Sequence, residues 1–394
     1  MNDKLNLLIL GSGMFVTGRG TSTYGTVLPS IFEIYKKNKL SNVIICSTSY
    51  ESSIKAKKKI QQLSKIYNIN FKIFLFPNKK NSNYSLINIV KKYEINCSII
   101  SIPDHLHTKY TIQLMKRNIH CLVVKPMTNN KKDALKMIKI CNDNNLLGMV
   151  EFHKRYDQAN IILRDKILNN EIGKLQYAII EYSQRKSIPT KFFSKWVNKT
   201  NIFQYLGIHY VDLIFYLTNF MPIKVNAFGQ MDYLKKNKIN TYDSIQVIIE
   251  WKRNDSKKFI SIHTCNWIDP NKTSAMSDQK IKIIGDWGRL VSDQKNRGLT
   301  SITDDYGIDE INPYFTTILK NNNIDTQSFG YGIKSITNFL NLCEYFINNK
   351  NIKIRNYLSK NNTLPTFETS YISTLILEAV NSSLKKNKPI SIKL

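Results

Sequence analysis

The stretch CSIISIPDHLHTKYTIQLMKRNIHCLVVKPMT, residues 97–128, contains the pattern that decides the fold. Residues 97–102 form a short apolar run rich in β-branched side chains, which is typical of a buried parallel strand. Residues 107–117 have apolar side chains at helical spacing, and residues 121–124 form a second buried strand. Lys125 and Pro126 follow where that strand ends. Because ligands of open parallel sheets bind outside the carboxyl ends of the strands, Lys125 is a candidate site residue. An ordinary surface lysine is the alternative.

The N-terminus has the parts of a dinucleotide-binding unit. Residues 5–10 are an apolar strand, Gly11-Ser12-Gly13 follows at once, and a helix is predicted from residue 24 or 26 to residue 37. Gly11 would make the tight turn, and Gly13 would let the backbone approach a pyrophosphate. The third glycine of the usual fingerprint falls on Val16, so the match is partial. A glycine turn without a phosphate is the alternative.

The order of predicted elements defines the fold class. Six strands, at residues 5–10, 42–46, 71–76, 97–102, 121–124 and 147–152, alternate with helices and predict a doubly wound parallel Rossmann sheet. Later strands at 224–230, 244–251, 257–267 and 280–284 follow one another without helices, which predicts an antiparallel sheet, so the fold class becomes α/β followed by a C-terminal α+β domain. We place the domains at residues 1–127 and 128–394. The closing helix at 370–385 can pack back on the first domain.

The end of the second predicted strand favours NADP over NAD. NAD-preferring sites carry an acidic residue there, but this chain has Ser47-Thr48-Ser49. The hydroxyls, with Lys55 and Lys57 nearby, suit a 2′-phosphate, although NAD remains open. The predicted cofactor contacts lie in the turns after the strands: Gly11, Gly13, Met14, Phe15, Ser47, Thr48, Ile102, Pro103, His105, His107 and Lys125.

Composition bounds the partners and the compartment. The formal net charge is +28, but the lysines are spread along the chain without a nucleic-acid motif, so we interpret them as a solvated basic surface and expect no nucleic-acid partner. The sequence contains no apolar run of about 18 residues, so we predict no membrane span. The N-terminus lacks the features of a signal peptide. Six scattered cysteines without a CxxC pair predict free thiols, no metal site and a cytoplasmic location.

Two further histidines are candidates for chemistry. His209 and Asp212 are three residues apart in a predicted helix, so they share a face. His209 is a candidate general acid or base that Asp212 would orient, because the unperturbed pKa of histidine is about 6.5. A histidine buried in a core is the alternative. His153 follows the sixth predicted strand, and we expect it to lie with Gly13, Pro103 and Lys125 at one edge of the sheet.

These segments together resemble the glucose-fructose oxidoreductase/inositol dehydrogenase (Gfo/Idh/MocA) family. The resemblance rests on GSGM at residues 11–14, SIPDHLHTKYTIQLMKRNIHCLVVKP at 101–126, LGIHYVDLIFYLT at 206–218 and LPTFETSYISTLILEAVNSSLKKNKPISI at 364–392. It implies an N-terminal Rossmann domain that binds NAD or NADP. It also implies that the C-terminal domain has a large, open and mostly antiparallel sheet, used for substrate and for oligomer contacts. It also implies oxidation or reduction of a carbinol on a sugar, nucleotide sugar or cyclitol. The family's lysine falls on Lys125, its helix histidine on His209 and the trailing aspartate on Asp212.

Two positions depart from the family pattern. The usual Glu-Lys-Pro has Val124 in place of the glutamate, and the aspartate found four residues before the histidine in many members is Tyr205. The phenol of Tyr205 can still exchange a proton, although its reference pKa near 10 makes it a poor unassisted base. The departures motivate an alternative function, a catalytically silent dinucleotide- or sugar-binding protein on the same fold.

The leading hypothesis is an NAD(P)-dependent sugar oxidoreductase that forms a homodimer or homotetramer through the C-terminal sheet. Lys125 would hold the reacting hydroxyl, and His209 would take or give its proton. The predicted substrate contacts are His153, Trp196, Lys199, Asn201 and Tyr205. Aromatic faces and amides suit polyols, and ordinary loop packing is the alternative for the loop residues.

Overall fold

The computed structural model describes residues 3–80, 82, 84–305, 307–321, 324–360 and 363–393. Strands and helices alternate over the first 151 residues. The strands are β1 (Leu5–Leu10), β2 (Leu40–Cys46), β3 (Phe74–Phe76), β4 (Cys97–Ile100), β5 (His120–Val124) and β6 (Gly148–Glu151). The helices are α1 (Met14–Thr17), α2 (Val27–Lys36), α3 (Tyr50–Tyr67), α4 (Leu86–Lys92), α5 (His107–Met115) and α6 (Lys131–Asp143).

The middle of the chain adds the elements of a second sheet. They are α7 (Gln158–Leu168), β7 (Leu175–Arg185), α8 (Ile208–Thr218), β8 (Met221–Gln230), α9 (Tyr233–Lys236), β9 (Ser244–Lys252), β10 (Lys258–Asp269), β11 (Ser277–Gly285), β12 (Arg289–Asp293), β13 (Thr300–Thr303) and β14 (Gly307–Glu310). The chain closes with β15 (Thr317–Asn321), β16 (Ile324–Phe329), α10 (Tyr331–Asn348), α11 (Ile354–Ser359), α12 (Phe367–Lys386) and β17 (Ile390–Ser391).

The first sheet is the predicted parallel Rossmann sheet. Its strand order is β3-β2-β1-β4-β5-β6, and every neighbouring pair is parallel. Strands β1, β4, β5 and β6 are buried almost throughout, as is typical of parallel strands covered on both faces, which explains their near-continuous apolar sequences. All six carboxyl ends lie at one edge, so the turns that follow them are neighbours.

The second sheet is mixed and mostly antiparallel, as predicted. Its order is β12-β11-β7-β10-β9-β8-β17, and β7 with β10 is its one parallel pair among the described residues. Alternate residues of β9, from Ile245 to Trp251, are fully buried, whereas those between them are partly exposed. One face of the sheet is therefore core, and the other is open.

The chain divides into two compact units, and it enters each of them more than once. One unit comprises residues 1–127, 132–156 and 314–369, and the other comprises 128–131, 157–313 and 370–394. The first unit therefore contains the parallel sheet together with α10, whose Ile336, Phe339 and Leu340 join the same core as Val27 and Ile31 of α2. The chain first leaves this unit after residue 127, and it returns to it at residues 132–156 and 314–369, which we placed in the second domain.

Some elements were not predicted. The one-turn helix α1 precedes the predicted first helix, and it ends at Gly18, which adopts a left-handed conformation with φ 69°. The strands β12–β16 were not predicted either, since they are short and mostly exposed and lack an alternating apolar pattern. Among the described residues, no helix combines the length and apolarity needed to cross a bilayer.

Candidate active site

The glycine turn after β1 has one position that only glycine fits and one that leaves open space. Gly11 has φ 103°, and a Cβ built on it would lie 2.0 Å from the Ser101 carbonyl oxygen. Gly13 precedes α1 in an extended conformation, and a Cβ there would meet no atom within 4 Å. The turn is thus packed on its inner side and open above Gly13, which is the shape that a pyrophosphate requires. Met14 and Phe15 begin the helix beside this space.

Val16 occupies the position of the third glycine because its side chain has a place in the core. It is fully buried in the same cluster as Val27 and Leu28 of α2. The helix it belongs to lasts only four residues and ends at Gly18. The departure from the fingerprint is therefore a packing feature, and it leaves the open space at Gly13 unchanged.

The end of β2 presents hydroxyl groups and an arginine that was not predicted. The buried Ser47 hydroxyl donates to the Ser12 hydroxyl at 2.7 Å, whereas Thr48 is exposed. Ser49 caps α3 by accepting from the Ser52 N–H. Arg19, from the loop after α1, donates to the Ser52 hydroxyl at 2.9 Å. A lone arginine in a glycine-rich loop gives no sequence signal that it lies at the next strand's end.

The loop after β4 is tied to the turn after β5 by His107. One ring nitrogen, Nε2, lies 2.9 Å from the Ile102 carbonyl oxygen, and Nδ1 lies 2.7 Å from the Pro126 carbonyl oxygen. The ring is almost fully buried, and burial lowers the pKa of His107 while Asp104 and the two carbonyls oppose that shift. His107, predicted as a cofactor contact, thus has both nitrogens engaged with the backbone. The predicted Pro103 lies in this loop.

His105, the other histidine of this loop, is partly exposed. Its Nδ1 lies 4.0 Å from an Asp104 carboxylate oxygen, and its backbone N–H donates to the same carboxylate at 2.9 Å. The ring therefore remains accessible at the edge where the strands end. Its predicted role as a cofactor contact stays a prediction.

Lys125 lies at the carboxyl end of β5 beside two carboxylates. Burial lowers the pKa of Lys125 to about 7, and the carboxylates of Glu151 and Asp104 oppose the shift. Lys125 is joined to Pro126 by a cis peptide bond. An amine that titrates near neutral pH can hold a hydroxyl in its charged form and accept a proton in its neutral form. The sequence prediction did not include Glu151, because it ends an apolar run whose other members are core residues.

His153 follows β6 and is held on three sides. Its Nδ1 lies 3.0 and 3.1 Å from the two Glu151 carboxylate oxygens. Its ring stacks on Tyr331 with centroids 5.7 Å apart and contacts Phe315 at 5.0 Å. Gly13, Pro103, Lys125 and His153 follow β1, β4, β5 and β6, which are neighbours in the sheet. The four positions predicted to lie at one edge are brought there.

The second unit carries the other catalytic candidates on α8. His209 and Asp212 are both buried, at 3% and 0% exposed. A turn of π-helix at Phe203–Gly207 runs directly into α8 and contains Tyr205. Because the backbone is continuous helix here, Tyr205 lies one turn before His209. The proton-transfer roles of these three residues stay predictions.

An aromatic cluster surrounds Tyr205. Its ring centroid lies 4.7 Å from that of Phe193, 5.8 Å from Trp267 and 6.3 Å from Trp196. Trp196 is partly exposed, and Lys199 is exposed three residues later. The Asn201 amide is used within the unit, where it donates to the Asn381 side chain at 2.9 Å and accepts from the Gln204 N–H at 2.8 Å. The cluster thus places the predicted substrate loop against the start of α8.

Comparison with known proteins identifies both halves of the chain. Residues 31–152 match the model of the oxidoreductase family with an NAD-binding Rossmann fold. Residues 162–291 match the GFO/IDH/MocA C-terminal domain. Among solved structures, the scyllo-inositol dehydrogenase of Lactobacillus casei with bound NAD(H) and scyllo-inositol superposes with a TM-score of 0.67 at 15% identity, covering 99% of both chains. At that identity the superposition supports the fold alone.

Curated relatives match over part of their length. The glucose-6-phosphate 3-dehydrogenase of Bacillus subtilis (strain 168) is 26% identical over 33% of this chain and 39% of its own. The myo-inositol 2-dehydrogenase of Thermotoga maritima is 21% identical over 56% of this chain and 63% of its own. The chain thus spans less than two thirds of these relatives. With both family models matched in order on the fold they describe, the chain belongs to the GFO/IDH/MocA oxidoreductase family.

Proposed function

We propose that this chain is an NAD(P)-dependent oxidoreductase that transfers a hydride between the nicotinamide and a carbinol or ketone of a sugar, nucleotide sugar or cyclitol. The observation that carries the proposal is Lys125, an amine with a pKa near 7 at the carboxyl end of β5. It lies at the edge that also bears the glycine turn, in a chain of an oxidoreductase family. The relatives named as glucose-6-phosphate and inositol dehydrogenases support a polyol substrate.

The residues of the first unit fit a dinucleotide. The open space above Gly13 has room for phosphates, and Gly11 allows the close turn beneath them. Ile102, Pro103 and His105 line the neighbouring turn, and we assign them to the cofactor. When bound, the nicotinamide supplies hydride chemistry, and the chain's own residues bind, orient and move protons. We assign His107 a bracing role, since its ring nitrogens face backbone carbonyls.

We assign four side chains to the reaction. Lys125 holds the reacting hydroxyl and stabilises its alkoxide character. His209 takes or gives the proton, with Asp212 orienting it and Tyr205 hydrogen-bonding nearby. His153, Trp196 and Lys199 contact the substrate. Asn201 supports the loop, because its amide already bonds Asn381 and Gln204.

We propose a preference for NADP, with Arg19 as its main determinant. Arg19 is a fixed cation beside the first turn of α3, where the 2′ position of the adenosine ribose is held in Rossmann sites. A guanidinium group binds a phosphate through two parallel hydrogen bonds and by charge, and the 2′-hydroxyl of NAD can form neither interaction as strongly as the 2′-phosphate of NADP. Thr48 adds an exposed hydroxyl at the same strand end, whereas the Ser47 hydroxyl is bonded to Ser12.

We propose that the open face of the second sheet joins two copies of the chain. Two rows of apolar side chains cross this face: Ile248, Ile262 and Ile179 in one row, and Ile260, Tyr177 and Ile284 in the next. Tyr177, Ile179 and Ile248 are each more than a third exposed. A contiguous apolar surface of this kind is typical of a protein interface.

Six buried free cysteines also support our assignment to the reducing cytoplasm.

Turnover with polyols tests the proposed function. The purified protein is mixed with NADP or NAD and each of glucose 6-phosphate, myo-inositol and scyllo-inositol, and reduced cofactor is followed at 340 nm. Reduction of the cofactor with any of these polyols supports the assignment, provided that Lys125→Ala lowers the rate by at least about 100-fold and keeps the cofactor affinity. Cofactor binding without turnover on a broad panel of polyols favours the silent alternative that Val124 and Tyr205 motivate.

A further inference from the structure

We propose that Glu151 is the positioning residue of Lys125: its buried carboxylate, fixed by His153, keeps the lysine ammonium charged and in place across the β5–β6 pair. The proposal rests on the proposed role of Lys125 and deepens it. Glu151 supplies, from the neighbouring strand, the carboxylate that position 124 lacks.

The sheet register places Glu151 opposite Val124, the residue before Lys125. Strands β5 and β6 are parallel neighbours, and Val124 pairs with Glu151. Register partners on adjacent strands lie about 4.8 Å apart and project to the same face of the sheet. Lys125 is the next residue after Val124. A carboxylate on Glu151 therefore originates one strand away from position 124, about 4.8 Å, and on the same face of the sheet as a carboxylate there would.

A carboxylate in this position needs partners. Glu151 is 1% exposed, and an isolated ionised carboxylate is costly to bury. His153 contacts both of its oxygens at 3.0 and 3.1 Å, and the stack on Tyr331 fixes the ring of His153. The second partner is Lys125, whose charged form Glu151 stabilises. The carboxylate is thus held by His153 and stabilises the charged form of the lysine.

Titratable groups from several elements act on Lys125, and they shift its pKa in different directions. Glu151 from β6 and Asp104 from the loop after β4 raise the pKa of Lys125, against the larger effect of burial. When His107 of α5 is protonated, its positive charge repels the Lys125 ammonium and lowers the pKa of the lysine. His153 acts through Glu151. Without the Glu151 charge, the lowering of the Lys125 pKa by burial would be opposed by Asp104 alone of these two carboxylates, so the lysine would lose its proton at a lower pH.

Competitive acetylation tests the proposal without a substrate. Trace acetic anhydride labels Lys125 in proportion to its neutral fraction, and peptide mass spectrometry gives the labelling from pH 5 to 10. We expect a midpoint near pH 7 in the wild type. In Glu151→Gln, which keeps the size of the side chain, the midpoint should fall by about one unit or more. Glu344→Gln, which removes another carboxylate of the first unit, is the control and should leave it unchanged.

A relocation variant separates the charge from the shape. Val124→Glu combined with Glu151→Ala moves the carboxylate to the neighbouring strand, and the Lys125 midpoint should return toward the wild-type value. An unchanged midpoint in Glu151→Gln overturns the proposal. So does a relocation variant that folds, as shown by circular dichroism, yet titrates like Glu151→Gln. NADPH titration of the same proteins tests the proposed function separately. If the wild type did not bind NADPH, the proposed function would fail, but the labelling midpoint of Lys125 would still report the effect of Glu151.

Discussion

At the scale of single residues, the candidate site depends on a few side chains whose places are set by strand ends. Lys125 could be predicted because it follows an apolar run and precedes a proline. Glu151, Arg19 and the bracing contacts of His107 could not. Their roles depend on which strands are neighbours and on where a loop folds, and neither property is visible in local sequence.

The two glycines of the turn after β1 give a matched pair of substitutions. Gly11→Ala should lower the free energy of unfolding by about 2 kcal/mol or more, because its Cβ would lie 2.0 Å from the Ser101 carbonyl oxygen at φ 103°. Gly13→Ala should leave stability nearly unchanged, since its Cβ meets no protein atom within 4 Å. It should weaken NADPH binding by roughly tenfold, or about 1.4 kcal/mol, by filling the space for the pyrophosphate.

Urea denaturation and fluorescence titration measure the two effects. An unaltered NADPH affinity in Gly13→Ala would show that the open space is not the phosphate site. Equal stability of the two variants would contradict the packing assigned to Gly11.

At the scale of elements, the parallel sheet was predictable and the later strands were only partly so. Long apolar runs such as Leu5–Leu10 identify buried strands. The hairpin of β15 and β16 has no such run, and the return of residues 314–369 to the first unit depends on long-range packing by α10. Helix α2 was predicted, but its packing against α10 in one core was not.

Asp243 provides an element-scale prediction on the short helix α9. Its carboxylate accepts from the backbone N–H groups of Asp232, Tyr233 and Leu234, each at 2.7 Å. Asp243→Ala should lower the free energy of unfolding by about 2–3 kcal/mol, since these donors lose a charged acceptor. Asp232→Ala removes an exposed ion pair with Lys236 and should cost only about 0.3 kcal/mol. Denaturant titrations giving equal losses would exclude the capping role.

At the scale of the whole molecule, the presence of a parallel sheet followed by a mostly antiparallel one could be predicted from the order of elements. The change from alternating strands and helices to consecutive strands indicated a second, antiparallel sheet, and the open face of that sheet was an implication of the family resemblance. The family resemblance indicated the use of that face. What the order of elements could not predict is the repeated passage of the chain between the units, because that requires knowledge of which helices share a core.

The open face of the second sheet predicts the assembly state. Ile262→Glu introduces a charge in the centre of the apolar rows and should convert a wild-type dimer or tetramer into smaller species in analytical ultracentrifugation. Ile302→Glu, on the separate β13–β14 hairpin and itself 75% exposed, is the control and should leave the assembly intact. A wild-type monomer at tens of micromolar would refute the assignment of this face.

The most direct test of the central claim, that this chain binds a nicotinamide dinucleotide at the edge carrying Lys125 and the glycine turn, is a fluorescence titration with NADPH and, separately, NADH. We predict micromolar binding, tighter for NADPH, with Arg19→Gln weakening NADPH by about tenfold and NADH little. A preference for NADH would overturn the role of Arg19 alone. Binding of neither nucleotide would contradict the claim itself.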